Sequence, residues 1–408
     1  MHIALLTHSV NPRGGVVHAL ELGEALQQAG HGVTVMAPAL DGQQWFRPIR
    51  CEAVRVPVAP HGPGMVAMVA ARIAAYRAFL TAWPQREQID LWHAQDSISG
   101  NALAELKQQG LIKGFVRTVH HLDVFDDPQL MAWQQRAFAD ADRVLCVSRR
   151  WCELMRREHG IQALQVPNGV DLQRFSPQPQ AVDAEVARRF GLRPGGPLWL
   201  ALGGIEERKN TRQLIVSFIT LRAHQPGAQL VIAGGASLLD HDAYARACLA
   251  DVAVLPPGAL ILTGPLAQAD VPSLYRLADA LVMPSLNEGF GLVVLEALAS
   301  GTPVVVSRIA PFTEYLGDEV EWVDPLDAAS IAAGMARAVR QPKRSEAAPV
   351  CHRFSWAASA TRHLDLYRKS PSPLAGEGWG RGVRLSPARP PLPSPLPQGE
   401  REPLTSEP

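Results

Sequence analysis

The segment from Leu281 to Ser307, LVMPSLNEGFGLVVLEALASGTPVVVS, constrains the fold of this chain more than any other segment. An apolar run is followed by a polar turn with glycines, a helix-length stretch, a Gly-Thr-Pro stop and a β-branched run. This order predicts one βαβ unit whose first turn carries the polar residues that a ligand would meet. The free N–H groups at the start of the helix, together with the helix dipole, favour a phosphate at this turn.

Two glutamates bracket the polar turn of this segment. Glu288 lies in the loop and Glu296 lies eight residues later on the helix. Solvated surface glutamates are the simpler interpretation if each is taken alone. The full string, PSLNEGFG followed by LEALASGTPVV, resembles the Glu-x7-Glu signature of the retaining glycosyltransferases of family 4. The resemblance implies that Glu288 holds the donor sugar, that Glu296 accepts hydrogen bonds from the ribose, and that Gly289, Phe290 and Gly291 belong to the donor site.

Length and composition limit the remaining possibilities. A chain of 408 residues, of which 47% are hydrophobic, exceeds one ordinary domain, so two domains are expected. Its formal net charge of zero argues against a general nucleic-acid binder. Five cysteines without a Cys-x-x-Cys pair predict reduced, mostly buried thiols and a cytoplasmic location.

The N-terminus lacks the basic leader of a signal peptide. Arg72 and Arg77 interrupt the apolar stretch at 65–80, so no membrane-spanning segment is predicted.

The start of the chain predicts a strand at 3–7, a loop ending in Gly14 and Gly15, a helix at 16–29 and a strand at 33–37. The loop does not match G-x-G-x-x-G. The string PRGGVVHALELGEAL instead resembles the opening of family 4 enzymes, which implies that Gly14 and Gly15 let the backbone approach the donor's phosphates. A tight turn that needs glycine is the alternative.

Residues 43–64 are expected to be irregular. The pattern at 66–83 predicts an amphipathic helix, which is either an ordinary surface helix or a peripheral membrane contact.

A predicted strand at 115–119 ends in a group of polar side chains, His120, His121 and Asp123. They are candidate metal ligands, but a zinc site needs a third or fourth ligand that the sequence does not place. The resemblance to family 4 implies instead that His120 lies beside the donor sugar. It also implies a structural role for the PNGVD motif that contains Asn168 and Asp171.

The second half of the chain repeats the pattern of strand, glycine turn and helix, with a strand at 198–202 and a helix at 211–223. Its turn, GGIEERKN, adds Arg208 and Lys209, which can neutralise a diphosphate leaving group. Solvated surface cations are the alternative. The turn resembles the donor loop of family 4, in which many members place an arginine six residues before the lysine. Here that position is Gly203, so Lys209, aided by Arg208, is expected to carry the diphosphate charge.

We therefore expect an α/β protein of the GT-B architecture, with two Rossmann-like domains facing each other across a cleft. The expected units are an acceptor-side domain at 1–178, a donor domain at 179–350, a helix at 351–368 that returns to the first domain, and a tail at 369–408. The tail is dense in Pro, Gly and Ser and cannot offset chain entropy by apolar burial. It is therefore predicted to be disordered and is assigned no role.

The expected activity is transfer of a hexose from a UDP- or GDP-linked sugar to a hydroxyl acceptor with retention of configuration. Glu288, His120 and Lys209 are the expected catalytic residues, without a metal or another cofactor. The expected partners are the nucleotide sugar and a hydroxyl acceptor, with no nucleic acid, and contact with the inner membrane surface is left open. Two other classes remain: a GT-B phosphorylase or nucleotide-sugar epimerase, and a sugar-nucleotide-binding protein without catalysis.

Overall fold

The structure is a computed structural model that describes residues 1–235 and 242–368. The tail that is predicted to be disordered, 369–408, lies outside the described residues. The described chain alternates strands with helices, and its strands form two separate parallel sheets.

The first domain contains the following elements in chain order: β1 (His2–Leu6), α1 (Gly14–Gln28), β2 (Gly32–Ala39), β3 (Glu52–Pro57), α2 (Met65–Ala82), β4 (Leu91–Ala94), α3 (Ser97–Gln108), β5 (Val116–Val119), α4 (Pro128–Ala139), β6 (Arg143–Cys146), α5 (Arg149–His159) and β7 (Leu164–Gln165). Its parallel strands lie in the order β3-β2-β1-β4-β5-β6-β7. Because β1 pairs with both β2 and β4, the strand order reverses there. Open α/β sheets bind ligands at the carboxyl ends of the strands beside such a reversal.

The second domain and the closing helices continue with the following elements: α6 (Ala181–Arg189), β8 (Leu198–Leu202), α7 (Thr211–Arg222), β9 (Gln229–Ala233), α8 (Asp242–Val252), β10 (Leu260–Gly264), α9 (Val271–Leu277), β11 (Ala280–Met283), α10 (Leu292–Ala299), β12 (Val304–Ser307), α11 (Phe312–Tyr315), β13 (Glu321–Val323), α12 (Ala328–Ala338), α13 (Pro349–Arg353) and α14 (Trp356–Arg368). The strands lie in the order β10-β9-β8-β11-β12-β13. The order reverses at β8, which pairs with β9 and β11. Strands β9, β11 and β12 are buried along their whole length, which explains their continuous apolar sequences.

Three parts of the chain differ from the sequence-based expectation. Residues 52–57, expected to be irregular, form β3, an edge strand with mostly exposed side chains. An exposed edge strand has little apolar pattern and tolerates proline, so the sequence gives a weak signal for it. Helix α1 begins at Gly14, so both glycines lie in its first turn instead of in the preceding loop. Helix α13 forms separately before α14.

Helix α2 is long and apolar enough to cross a membrane by length and composition, although Arg72 and Arg77 lie within it. The expectation that these arginines exclude such a segment is therefore wrong on these two criteria. Tyr76 of this helix is fully buried, and its hydroxyl donates a hydrogen bond to the carbonyl oxygen of Thr7 at 2.7 Å. One face of α2 therefore belongs to the core of the first domain.

Two hydrophobic clusters connect parts of the chain that are distant in sequence. Helix α14 packs on α1, and Trp356, Leu364 and Tyr367 are buried in a cluster shared with β1 and β2. A second cluster runs across both domains and includes Trp151 of the first and Phe290 of the second. The two predicted Rossmann-like domains are thus confirmed, and they are packed against each other.

Candidate functional site

The loop after β11 holds Glu288 in a buried position where the two domains meet. Glu288 is 7% exposed. Its Oε1 accepts a hydrogen bond from the Ser285 hydroxyl at 3.2 Å and forms an ion pair with Arg208 at 2.9 Å. Its backbone oxygen accepts a hydrogen bond from the indole N–H of Trp151, in the first domain, at 3.1 Å. Residues of both domains therefore hold this glutamate.

Glu288 carries a negative charge at neutral pH despite its burial. Burial alone would raise its pKa, but the positive charges of Arg208 and Lys209 bring the pKa below its usual value. Burial also lowers the pKa of Lys209, and the charge of Glu288 acts against that effect. The three side chains form one electrostatic unit, in which removal of one charge changes the other two.

Arg208 and Lys209 have different partners. The Arg208 guanidinium contacts two carboxylates, Glu206 at 3.1 Å and Glu288 at 2.9 Å. The Lys209 ammonium donates to the carbonyl oxygen of Leu202 at 3.1 Å and has no ion pair within the described chain. Arg208 is therefore engaged in holding Glu288, whereas Lys209 retains its charge for a ligand.

Gly203 makes room for Lys209. Its φ of +121° lies in the region that favours glycine, and a Cβ there would collide with Nζ of Lys209. The lysine thus occupies the space that a side chain at position 203 would need.

Glu296 lies on α10 and is oriented by a tyrosine. Its Oε2 accepts a hydrogen bond from the Tyr275 hydroxyl at 2.7 Å, and its other oxygen makes no hydrogen bond to a described residue. Burial raises the pKa of Glu296, and the Tyr275 hydrogen bond and the charge of Arg174 oppose the increase. The ring of Tyr275 in turn packs edge-on against Phe175, with centroids 5.8 Å apart.

Two glycines of the loop are required by close packing. A Cβ on Gly289 would collide with the carbonyl oxygen of His120 in the first domain, and a Cβ on Gly291 would collide with the ring of Phe312. Gly291 has a φ of +92° and directly precedes α10. The first N–H groups of α10 lack helical partners, so they are available for an anion at the loop.

Phe290, between these glycines, has its side chain in the core. It is 4% exposed and stacks on Tyr315 with ring centroids 4.8 Å apart. The Tyr315 hydroxyl donates to the backbone oxygen of Phe290 at 2.9 Å. The aromatic ring therefore fixes the path of the loop, and only the backbone of Phe290 remains as a candidate donor contact.

The first domain brings His120, at the end of β5, to the same junction. A Cβ on Gly15 would lie 3.3 Å from Cδ2 of the His120 ring, so the first turn of α1 borders this side chain. Gly14 is exposed, and a Cβ there would meet nothing within 4 Å. Of the two glycines, only Gly15 has a neighbour that an added Cβ would crowd.

Three further polar residues in the sequence motifs of the first domain make contacts with neighbouring residues. His121 forms an ion pair with Asp123 at 3.4 Å. Asp171 accepts hydrogen bonds from the backbone N–H groups of Gln173 and Arg174, in agreement with a structural role for its motif.

Over residues 1–235 and 242–368, no group of three or more His, Cys, Asp or Glu side chains could hold a metal ion.

Several residues of the site carry no signal in the sequence. Trp151 contacts Glu288 across 137 positions, and the Glu314 carboxylate accepts the N–H groups of Arg149 and Arg150 at 2.7 and 2.8 Å across more than 160 positions. These contacts depend on how the domains pack, and neither periodicity nor local motifs encode them.

Two Rossmann-like domains that meet around a glycine-rich glutamate loop form the arrangement of a GT-B glycosyltransferase. The family model described as Glycosyltransferase Family 4 matches residues 12–174, and the model described as Glycosyl transferases group 1 matches residues 183–353. The chain belongs to this family of glycosyltransferases. The predicted family and the predicted GT-B architecture are confirmed.

Similar proteins cover most of the chain. The D-inositol 3-phosphate glycosyltransferase of Xylanimonas cellulosilytica is 28% identical over 402 residues, which cover 88% of this chain and 92% of the relative. The phosphatidyl-myo-inositol mannosyltransferase of Mycolicibacterium smegmatis is 28% identical over 377 residues, which cover 88% of this chain and 91% of the relative.

Among solved structures, sucrose-phosphate synthase from Thermosynechococcus elongatus has a TM-score of 0.73 at 24% identity, and the match covers 90% of this chain and 98% of the synthase chain. Anabaena HepE in complex with UDP and glucose has a TM-score of 0.71 at 17% identity, with 90% and 100% covered. Both structures share the fold.

Proposed function

We propose that this glycosyltransferase moves a hexose from a UDP- or GDP-linked sugar to a hydroxyl acceptor, with retention of configuration at the anomeric carbon. The observation that supports the proposal most is the buried, ionised Glu288, held beside Lys209 at the start of α10. Five free cysteines agree with a reducing, cytoplasmic location, where nucleotide sugars are available.

In this proposal each charged group has a role that is compatible with its surroundings. Lys209 and the N–H groups at the start of α10 bind the diphosphate and stabilise the negative charge that develops as it departs. Arg208 holds the Glu288 carboxylate, and Glu296 accepts hydrogen bonds from the ribose hydroxyls. Glu288 binds sugar hydroxyls and stabilises the positive charge at the anomeric carbon.

The reaction needs no covalent intermediate with the protein. The bond between the anomeric carbon and the diphosphate oxygen breaks while the acceptor oxygen bonds to the same face of the sugar. The acceptor's proton passes to the departing phosphate oxygen, so atoms and charges balance. Lys209 and the helix N-terminus supply the charge stabilisation that a metal ion supplies in other transferases, and the proposed reaction therefore runs without a metal.

A screen with the wild-type protein tests the proposal. The donors are UDP-glucose, UDP-galactose, UDP-N-acetylglucosamine and GDP-mannose, each with inositol phosphate or a simple glycoside as acceptor and with a chelator present. The expected result is one product whose anomeric configuration, measured by NMR, equals that of the donor. Inversion, or activity that the chelator abolishes, would contradict the mechanism.

Other outcomes of the same screen separate the alternative functions. Epimerisation of the donor without an acceptor would indicate an epimerase, and phosphorolysis with inorganic phosphate would indicate a phosphorylase. Thermal stabilisation by UDP or GDP without turnover would indicate a binding protein. If no donor or nucleotide changes the melting temperature or is consumed, the proposed function is wrong.

A further inference from the structure

The His120 ring is held by three neighbours in the first domain, two on α1 and one at the end of β4. Its Nε2 lies 3.0 Å from Oε1 of Gln95, the residue that follows β4. The ring of His18, on α1, meets it edge-on with centroids 4.7 Å apart and an interplanar angle of 71°. Gly15 lies against Cδ2. With these neighbours, the ring has one defined orientation.

Gln95 is itself rigidly placed. It is 2% exposed, and its backbone N–H donates to the carbonyl oxygen of Leu6 at 2.9 Å, which fixes it at the edge of the sheet. Its amide oxygen points to His120, while its amide nitrogen is buried without a hydrogen-bond partner in the described chain. A carbonyl oxygen only accepts hydrogen bonds, so the His120 nitrogen facing it must carry the proton.

The other ring nitrogen of His120 is the acceptor. Nδ1 makes no hydrogen bond to a described residue, and it is not among the buried unpaired atoms of the chain. Burial, and then the neighbouring His18, Arg117, His121 and His93, hold the pKa of His120 well below its usual value. The ring is therefore neutral at working pH, and a neutral imidazole with its proton on Nε2 has a lone pair on Nδ1.

We infer that Gln95 is a positioning residue that keeps the proton of His120 on Nε2, so that Nδ1 accepts a hydrogen bond from a substrate hydroxyl in the cleft. The inference rests on the proposed sugar transfer for the identity of that hydroxyl, whereas the tautomer is a property of the protein alone. His120 then orients a hydroxyl and does not carry a proton through the reaction. This agrees with a departing phosphate oxygen that receives the acceptor's proton.

The test combines NMR with kinetics on the full chain. Protein labelled with 15N-histidine is compared with the His120→Gln variant, so that the His120 signals are assigned, and long-range 1H–15N spectra are recorded between about pH 5.5 and 8. The expected spectrum shows the proton on Nε2 at every pH. In Gln95→Ala, both tautomers are expected, together with a fall in kcat/KM on the order of ten-fold.

Gln95→Glu provides the sharper test. A carboxylate 3 Å from Nε2 raises the pKa of His120, so the ring should titrate within this range and kcat/KM should fall on the acid side. The matched control is Gln134→Glu, since Gln134 is also buried but makes its hydrogen bonds to the backbone of Asp123. The control should leave the His120 signals and the pH profile unchanged.

Two results would overturn the inference. One is a proton on Nδ1 in the wild-type protein, which would mean that the Gln95 amide has the opposite orientation and donates to Nε2. The other is an unchanged tautomer in Gln95→Ala. If Gln95→Glu fails to fold, the alanine variant decides. Because the spectra need no substrate, a failure of the proposed transfer is distinguished from a failure of this inference.

Discussion

At the scale of single residues, Arg208 and Lys209 show that adjacent cations have different roles. Two carboxylates contact Arg208, so its charge is largely compensated before any ligand binds. Lys209 donates to a backbone oxygen, which compensates no charge. If a diphosphate binds here as proposed, it gains more from Lys209 than from Arg208, because two carboxylates already oppose the charge of Arg208.

The buried charge of Glu288 leads to the first prediction. Glu288→Gln keeps the shape of the side chain but leaves Arg208 with one carboxylate fewer, and it removes the negative charge that we propose stabilises the anomeric carbon. We expect kcat to fall on the order of 100-fold or more, with a smaller change in donor KM. Steady-state kinetics with the donor identified by the screen measure both. The control is Glu207→Gln, an exposed glutamate in the same turn, which should keep full activity; equal effects of the two variants would refute the role of Glu288.

Gly203 provides the second prediction. Gly203→Ala strains the backbone at a φ of +121° and displaces the Lys209 ammonium. Gly195→Ala is the matched control, since Gly195 has a φ of +101° but faces open space. Both variants should lose about 1–2 kcal/mol of stability, measured by chemical denaturation, because alanine is strained at these angles. Only Gly203→Ala should lose kcat/KM, on the order of 100-fold, and activity retained in both would show that Lys209 does not need this space.

The third prediction concerns pH. Burial raises the pKa of Glu21 from 4.5 to about 7, although Arg47 lies 3.0 Å away and Arg174 lies 3.5 Å away. The folded protein thus holds this proton more tightly than the unfolded chain, so this group's contribution to stability is lost as pH rises from about 4.5 to about 7. Relative to Glu21→Gln, the wild type should lose up to about 3 kcal/mol over that range. Melting curves of both proteins at pH 5 and pH 8 measure the difference, and parallel changes would contradict it.

At the scale of elements, the N-terminus of α5 joins the two domains. Ser148 caps this helix from its own domain, and the Glu314 carboxylate from the second domain accepts its first two N–H groups. Trp151, on the same turn, donates to the backbone oxygen of Glu288. One helical turn therefore contacts both the glutamate loop and the helix that follows β12.

The fourth prediction tests this contact. Glu314→Ala leaves two N–H groups without their anionic partner and should cost about 1–2 kcal/mol of stability. Because the same turn contacts Glu288, kcat should also fall several-fold. Glu153→Ala, at an exposed position of the same helix, is the control and should change neither the melting temperature nor kcat. If the two variants behave alike, the contact between domains has no energetic role.

The sequence predicts elements of this protein better than it predicts their contacts. The run from Leu281 to Ser307 defines β11, α10 and β12 because its apolar stretches and glycine turn are local. Strand β3 was missed because an exposed edge strand lacks that pattern. In the site, local motifs identified Glu288 and Lys209 as candidates. The contact of Trp151 with Glu288 and the contact of Glu314 with α5 both cross the interface between the domains, and only the packing of the domains creates them.

At the scale of the whole molecule, the contacts of α14 lead to the fifth prediction. A chain ending at Arg368 should keep the melting temperature and activity of the full chain, because the tail's composition offers little apolar surface to bury. A chain ending at Ser355 also lacks Trp356, Leu364 and Tyr367, whose burial contributes roughly 5–8 kcal/mol. That amount is comparable to the stability of a whole domain, so the shorter chain should be largely unfolded by circular dichroism. If the chain ending at Ser355 folds, α14 is not needed for the core of the first domain. If the chain ending at Arg368 is destabilised, the tail contributes to stability.

Helix α14 completes the core of the first domain, yet it is separated from that domain in the chain by all of the second. During synthesis, α1 and its neighbouring strands emerge from the ribosome long before the helix that covers them. The apolar side chains that α14 covers therefore remain open to water, and to any chaperone that binds apolar surface, until translation has passed through the whole second domain. The half of the protein that is made first therefore cannot complete its core until the other half has been made.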